Sequence, residues 1–344
     1  MAQLTIGLIG CGRLAELGYL PALAAVRGVR LGAVADPDLV RRQRLALLAG
    51  RLGEPVTTHP SAADLLERAH VDALVLATPA DAHLPDAELA AGAGLPVLVE
   101  KPPAGDAAGA ARLAGLDPPP WIAFNRRFEP GNAQLRAAVP SDGPVHVQLE
   151  IRYRRRGWAP HTVADDALLD LGPHLVDLAR WLLATEIRAV AGAAVTPTRA
   201  GAELRTTGAT VRIDCATDRA HLERVELRDP SGRVIARRRT GGLPAGVLAR
   251  LPGGRGPHPL TASLTRQLTA FADAVHGGPA LGLGTAADGL AVMQVIDAVR
   301  ACAAADGRPV ALPEAEPAQG HHRGHDRGRD ARSEWRSPRP RAGW

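Results

Sequence analysis

The sequence predicts an α/β fold: a doubly wound parallel sheet at the N-terminus, followed by an α/β domain built on a largely antiparallel, open sheet. Three observations carry this. Through residues 1–122, short and wholly apolar runs alternate with longer amphipathic stretches, and parallel strands need such crossover helices between them. Beyond that point polar and apolar residues take turns along the strands, the pattern of a sheet with one wet and one buried face. The chain has 344 residues, 46% apolar and 22% charged, which is enough for two sizeable cores.

In order, Leu4 to Ile9 reads as a buried strand, Gly10-Cys11-Gly12 as a turn, and the stretch to Val26 as a helix with Pro21 marking a kink or early break. Val29 to Ala35 is a strand ending at Asp36, Val40 to Leu52 a helix, and Val56 to Thr58 a short strand. Ser61 sits in N-cap position ahead of a helix to Ala69. Ala73 to Ala77 is a strand, Ala80 to Ala93 a helix, Val97 to Glu100 a strand, and Trp121 to Phe124 the last strand of the first sheet, after the linker Asp117 to Pro120. The alternating strands are His146 to Tyr153, Thr210 to Cys215 and Leu222 to Leu227, with a hairpin turn at Asp229 to Gly232. Leu264 to Val275 and Ala286 to Ala304 are helices, and Gly241 to Pro259 is a loop. The expected division is 1–122, 123–315 and a disordered basic tail at 318–344.

Composition narrows the function. Lys+Arg exceed Asp+Glu by 41 to 36, and the tail from Ala318 to Trp344 supplies +4 of that +5. The folded body is near neutral, so the basic balance gives no reason to expect nucleic acid. No apolar run is long enough for a membrane span and no basic region precedes the first one, so a cytoplasmic protein is expected. Cys11, Cys215 and Cys302 are scattered and form no CxxC pair, which supports neither a disulfide framework nor a metal site. Of the 41 basic residues 40 are arginine, and Lys101 is the single lysine. Arginine has been used wherever any cation serves. Position 101 keeps the compact ammonium, which arginine cannot imitate, and this singles it out as a functional candidate.

Three constellations point to chemistry. Gly7, Gly10 and Gly12, with Cys11, Arg13, Leu14 and the small Ala15, form a glycine-rich turn between strand and helix. Bare backbone there lets a dinucleotide pyrophosphate approach the helix N-terminus. Asp36, 24 residues after Gly12, suits a ribose-binding carboxylate and favours NAD over NADP, while Arg41 and Arg42 keep NADP open. Thr78-Pro79 and Glu100-Lys101-Pro102 each follow a parallel strand and therefore reach the carboxyl edge where nicotinamide and substrate meet. His83 either borders that pocket or is a helix-face histidine. Asp170 and His174 are four apart on one helix, with Gly172 and Pro173 expected in its first turn, and a carboxylate beside an imidazole is suited to moving protons. The basic strand end Arg152 to Trp158, including Tyr153, either clamps an anionic group of the substrate or is a charged sheet edge.

These motifs together resemble the glucose-fructose oxidoreductase / inositol dehydrogenase / MocA family over residues 3 to 313. They are GLIGCGRLA at 7–15, ADPD at 35–38, ATP at 77–79 with His83, VLVEKP at 97–102, FNRRF at 124–128 and DLGPHLVD at 170–177. The resemblance implies a Rossmann domain followed by an α/β domain whose open sheet mediates a homodimer or homotetramer. It also implies hydride exchange between NAD, or NADP, and a carbinol or ketone carbon of a sugar, amino sugar or cyclitol, possibly nucleotide-activated. By the same resemblance Lys101 contacts the reacting oxygen, Asp170 is its carboxylate partner, His174 is the general acid/base, and Asn125 and Arg126 lie beside the pocket. Pro173 departs from the family pattern, in which a small polar residue is common at that position. Two other readings remain at this stage: an NAD-dependent glycoside-cleaving enzyme on the same scaffold, and a non-catalytic dinucleotide sensor.

A tail without apolar periodicity contributes no core. Truncation after Pro317 is therefore expected to leave the melting temperature unchanged in a thermal denaturation scan.

Overall fold

The computed structural model describes residues 3–53, 55–155, 165–241 and 259–313. Trp158, the loop expected between Gly241 and Pro259 and the basic tail fall wholly or largely outside them. Residues 1–313 form one compact unit.

The strands, in chain order, are β1 (Leu4–Ile9), β2 (Val29–Ala35), β3 (Thr57–His59), β4 (Ala73–Leu76), β5 (Val97–Val99), β6 (Trp121–Ile122), β7 (Val145–Arg154), β8 (Ala189–Val195), β9 (Arg199–Arg205), β10 (Ala209–Ala216), β11 (Asp218–Arg228), β12 (Val234–Gly241), β13 (Gly284–Thr285) and β14 (Val310–Ala311). They make two seven-stranded sheets, ordered β13-β6-β5-β4-β1-β2-β3 and β12-β11-β7-β10-β9-β8-β14. In the first every pairing is parallel except that of β13 with β6. In the second every pairing is antiparallel except β10 with β7. This is the predicted fold class.

Periodicity explains the layers. In β7, Val145, Val147, Leu149 and Ile151 are buried, and they meet the helix Ala167–Leu183 through its buried stripe Leu171, Leu175, Leu178 and Leu182. Between them β7 carries Gln148, Glu150 and Arg152 on the other face, where Glu150 pairs with Arg224 at 2.8 Å. Similar pairs on this sheet join Arg205 to Glu203 and Arg228 to Glu226. One apolar cluster runs from the first sheet through Ile122 and Phe124 into the second, so the two sheets share a core. The opposite face of the first sheet is covered by Tyr19, Leu23 and the helix Pro259–Val275.

Several boundaries differ from expectation. The helix expected up to Val26 opens as a π turn, Ala15–Tyr19, and becomes α-helical over Leu20–Ala25 with Pro21 in its first turn. Proline lacks the N–H that would continue the earlier ladder. A helix at Ala107–Ala114, capped by Asp106 accepting from Gly109 N at 2.8 Å, gave no strong apolar period because it is mostly alanine. The strand expected to run to Phe124 stops at Ile122, and Asn125–Phe128 forms a 3-10 turn. Gly172 and Pro173 are not in a first turn: the helix begins at Ala167, with Asp166 accepting from Leu169 N at 2.8 Å. Pro173 is therefore interior and leaves the Leu169 carbonyl without its usual donor. At Gly172 the helix packs closely on the helix Ala286–Ala304: a Cβ there would lie 2.8 Å from Cδ1 of Ile296, whose side chain would have to shift.

The 3-10 turn is anchored by charge. Arg127 Nε donates to both oxygens of the fully buried Asp177 at 3.0 and 3.1 Å, and its guanidinium also reaches Asp288 at 3.2 Å. Asp288 in turn accepts from Arg180 at 3.0 Å and closes a capping box with Thr285. Burial pushes the Asp177 carboxyl up to about 6 against the pull of Arg127, so it is ionised at neutral pH. Removing one member of such a pair leaves the other charge buried. Asp177→Asn is expected to cost about 3–5 kcal/mol in urea unfolding at pH 7. Arg205→Gln, on an exposed pair, is expected to cost less than about 1 kcal/mol.

Candidate functional site

The glycine turn follows β1. Gly10 has φ +93°, and a Cβ on it would lie 2.6 Å from the Ala77 carbonyl oxygen, so only glycine fits there. A Cβ on Gly12 would meet nothing within 4 Å, which leaves the outer side of the turn open to a ligand. Gly7 serves packing, its Cβ position being 2.6 Å from Leu74 Cδ2. Asp36 is buried at the end of β2, where Oδ2 accepts from Cys11 N and Oδ1 from Asp38 N, both at 2.8 Å. The carboxylate thus shapes the turn as well as facing it. Arg42 donates to the Asp36 and Pro37 carbonyls at 3.0 and 3.1 Å. Arg13 and Leu14, partly buried, lead into the π turn. Cys11 is buried, and desolvation, with the Asp36 charge adding to it, pushes its thiol up to about 12, so it packs rather than reacts.

At the carboxyl edge, Pro79 caps the helix Ala80–Gly92, and Thr78 Oγ1 is buried without a hydrogen-bond partner of good geometry among the described residues. His83 is buried beneath this edge. Its Nδ1 lies 3.0 Å from the Pro102 carbonyl and its Nε2 lies 2.8 Å from that of Thr78. Desolvation lowers it to about 4, and as a neutral imidazole with one N–H it donates to only one of these two carbonyls. Glu100 is a tie: Oε1 accepts from Tyr19 Oη at 2.6 Å, and Oε2 accepts from Lys101 N at 2.9 Å. Burial raises the pKa of both Glu100 and Tyr19. Nothing local in the sequence marks Tyr19, whose partner is 81 positions away.

Lys101 precedes a cis peptide bond to Pro102. Its ammonium donates to the Asp170 main-chain oxygen at 3.0 Å and stands 3.7 Å from Asp170 Oδ1. The Tyr153 hydroxyl donates to Asp170 Oδ2, and Arg155 donates to the same oxygen at 2.9 Å. Burial alone would raise the Asp170 carboxyl, but Lys101, Tyr153 and Arg155 together hold it below its ordinary value. Tyr153 is correspondingly raised, by burial and by the Asp170 charge. His174 lies one turn further along the helix, buried, with Nδ1 lacking a hydrogen-bond partner among the described residues. Desolvation, then the charges of Lys101 and Arg126, press it well below 6.5, so the ring is neutral at physiological pH.

The other expected substrate residues sit at the border of this cluster. Asn125 donates to Ser263 at 3.2 Å and keeps a buried, unpartnered Oδ1. Arg126 forms a fork with Glu223 at 2.9 and 2.7 Å. Lys101, Tyr153 and Asp170 are therefore brought into contact, His174 is brought within their field, and Asn125 and Arg126 are turned toward the second sheet and the helix Pro259–Val275. The Arg155 contact on Asp170 was not singled out by the sequence. The run of basic residues at 152–156 drew attention there, but which one turns inward depends on the twist at the end of β7. Among the described residues no group of three His, Cys, Asp or Glu is placed to hold a metal ion, and no helix is long and apolar enough to cross a membrane.

Comparison with known proteins agrees with this fold. The profile of an oxidoreductase family with an NAD-binding Rossmann fold, GFO_IDH_MocA, matches residues 4–116. Inositol 2-dehydrogenase 2 of Saccharopolyspora erythraea is 33% identical over 204 residues, 58% of this chain and 58% of that protein. The chain thus spans little more than half the length of such curated relatives. Inositol 2-dehydrogenase 1 of the same organism is 29% identical over 330 residues, 89% of this chain and 95% of the relative. Among solved structures, GenD2 from gentamicin A biosynthesis in complex with NAD aligns with a TM-score of 0.74 at 25% identity, covering 91% of this chain and 97% of that one. Residues 4–116 thus match the NAD-binding Rossmann model of that oxidoreductase family, and the fold of GenD2 is shared along nearly the whole described length of the chain.

Proposed function

We propose that the chain is an NAD-dependent oxidoreductase exchanging hydride with the CH–OH carbon of a cyclitol or a sugar. The observation that carries this reading is the convergence of Lys101, Asp170 and neutral His174 at the carboxyl edge of the parallel sheet, beside the open glycine turn. The residues fit a dinucleotide. Gly12 leaves bare backbone for a pyrophosphate, and Asp36, although each oxygen already accepts one backbone N–H, retains lone pairs for a ribose hydroxyl. When bound, NAD supplies the hydride acceptor.

The chain's own groups supply the rest. An ammonium has three donors. One of Lys101's goes to the Asp170 carbonyl and a second faces Oδ1, which leaves one for the reacting oxygen. In the oxidation direction the developing alkoxide is held by that donor, and His174 takes the hydroxyl proton. A desolvated, neutral imidazole is in the correct state to accept it. The names of the relatives, inositol 2-dehydrogenases above all, support a cyclitol as the substrate class to test first.

Two measurements check this. NAD is expected to bind more tightly than NADP in a tryptophan-fluorescence titration, with Asp36→Ala narrowing the difference; equal affinities in the unaltered protein would count against Asp36 as the ribose ligand. Lys101→Arg keeps the charge but loses the compact donor. It is expected to lower turnover of inositol by roughly 100- to 1,000-fold, as loss of a preorganised donor does, with NAD affinity nearly unchanged.

A further inference from the structure

The Asp170 carboxylate is asymmetrically loaded. Oδ2 takes two donors from the end of β7, the Tyr153 hydroxyl and Arg155 Nη2, while Oδ1 faces the Lys101 ammonium at 3.7 Å. Arg155 is fixed on both sides. Its Nη1 donates to the Asp165 carbonyl at 2.6 Å, immediately before the helix that carries Asp170 and His174, and its backbone N donates to the Thr217 carbonyl at 2.9 Å. Its guanidinium therefore staples the end of β7 to the start of the helix Ala167–Leu183.

We propose that Arg155 and Tyr153 are positioning residues that fix Asp170 as an ionised carboxylate with Oδ1 aimed at Lys101. The inference rests on the function proposed above. Two donors on one oxygen stop the carboxylate from rotating, because turning it would break two charge-assisted hydrogen bonds at once. With Oδ2 taken by two donors and Oδ1 facing the Lys101 ammonium, a carboxylate so held keeps that ammonium oriented and has no oxygen turned to the hydroxyl proton, which is left to His174. The division of labour between the two acid/base groups of this helix is thus set from a strand in the other layer.

The titration of Asp170 reads this directly. The groups facing it are Lys101 from the loop after β5, Tyr153 and Arg155 from β7, Cys215 from β10, and Asp165, Asp166 and His174 from its own helix and the turn before it, with Arg300 of the helix Ala286–Ala304 paired to Asp166 at 3.3 Å. Because the folded value is depressed, the ionised state persists as pH falls below the ordinary aspartate range. Removing a neighbouring cation moves the midpoint back up, by about 1 pH unit or more.

In the full-length protein without ligand, the Asp170 midpoint can be followed by carboxyl-carbon NMR of aspartate-labelled protein, the signal being assigned by its loss in Asp170→Asn. Arg155→Gln is expected to raise the midpoint by about 1 pH unit or more, and Arg155→Lys to return most of that shift. In parallel, turnover of myo-inositol with NAD is expected to fall at least tenfold in Arg155→Gln, while KM for NAD changes less than twofold. If Arg155→Gln fails to fold, Tyr153→Phe takes its place with a smaller rise expected. An Asp170 midpoint unmoved in the folded variant overturns the proposal, whatever happens to turnover. If the unaltered protein oxidises no cyclitol or sugar, the proposed function fails, yet a raised midpoint still supports the positioning of Asp170.

Discussion

Taking an ammonium out of water is costly unless an opposite charge and hydrogen-bond acceptors meet it, and the side chain of Lys101 is only 16% exposed. Meeting that requirement ties distant parts of the chain together. The acceptors come from a residue 69 positions later, on a helix packed against the second sheet. The loop that holds the lysine is fixed in turn by Glu100, with His83 against it from below. Compensating a single desolvated cation thus requires both sheets, the helix Ala167–Leu183 and the carboxyl edge to be in register with one another.

The same logic recurs at a second buried charge. Arg127 and the fully buried Asp177 form a pair whose members lie in the 3-10 turn and three residues beyond His174, while Arg126 of the same turn forks onto Glu223 of β11. Consecutive arginines therefore pull the turn in two directions, toward the helix and toward the sheet. The helix bearing Asp170 and His174 is held at its start by Arg155 and just past its middle, at Asp177, by Arg127. A helix pinned at two points holds Asp170 and His174 in a fixed relation to the lysine loop, even though Pro173 interrupts its hydrogen-bond ladder between them.

Much of this was legible in the sequence because the signals were local. The strands β1 to β6 followed from apolar runs and β7, β10 and β11 from alternation, whereas β8, β9, β12, β13 and β14 were not read as strands; the glycine turn followed from spacing, and Ser61 as a cap from its position before an apolar period. Lys101 stood out through composition alone, as the one lysine among forty arginines. What escaped were interactions with no local trace. Tyr19 and Glu100 are 81 positions apart, and the alanine-rich helix Ala107–Ala114 has too little contrast between its faces. The misplaced start of the helix Ala167–Leu183 has a plain cause: a proline in a helix is most often in its first turn, whereas Pro173 lies in the interior. The Asp170 partners could be narrowed to a basic stretch but not to one arginine, because strand twist decides which side chain turns inward.

The antiparallel strand Gly284–Thr285 closes the edge of the parallel sheet against Trp121 and Ile122. Most of that sheet is complete once the first third of the chain has been synthesised, but its last partner arrives only near the end. While translation is under way, the nascent first layer presents β6 as an unpaired edge, of the kind that recruits foreign strands. Two residues are few to leave open, and β6 itself is no longer than that. The brevity of both strands limits how long a template the unfinished sheet can offer to a neighbouring chain on the same message.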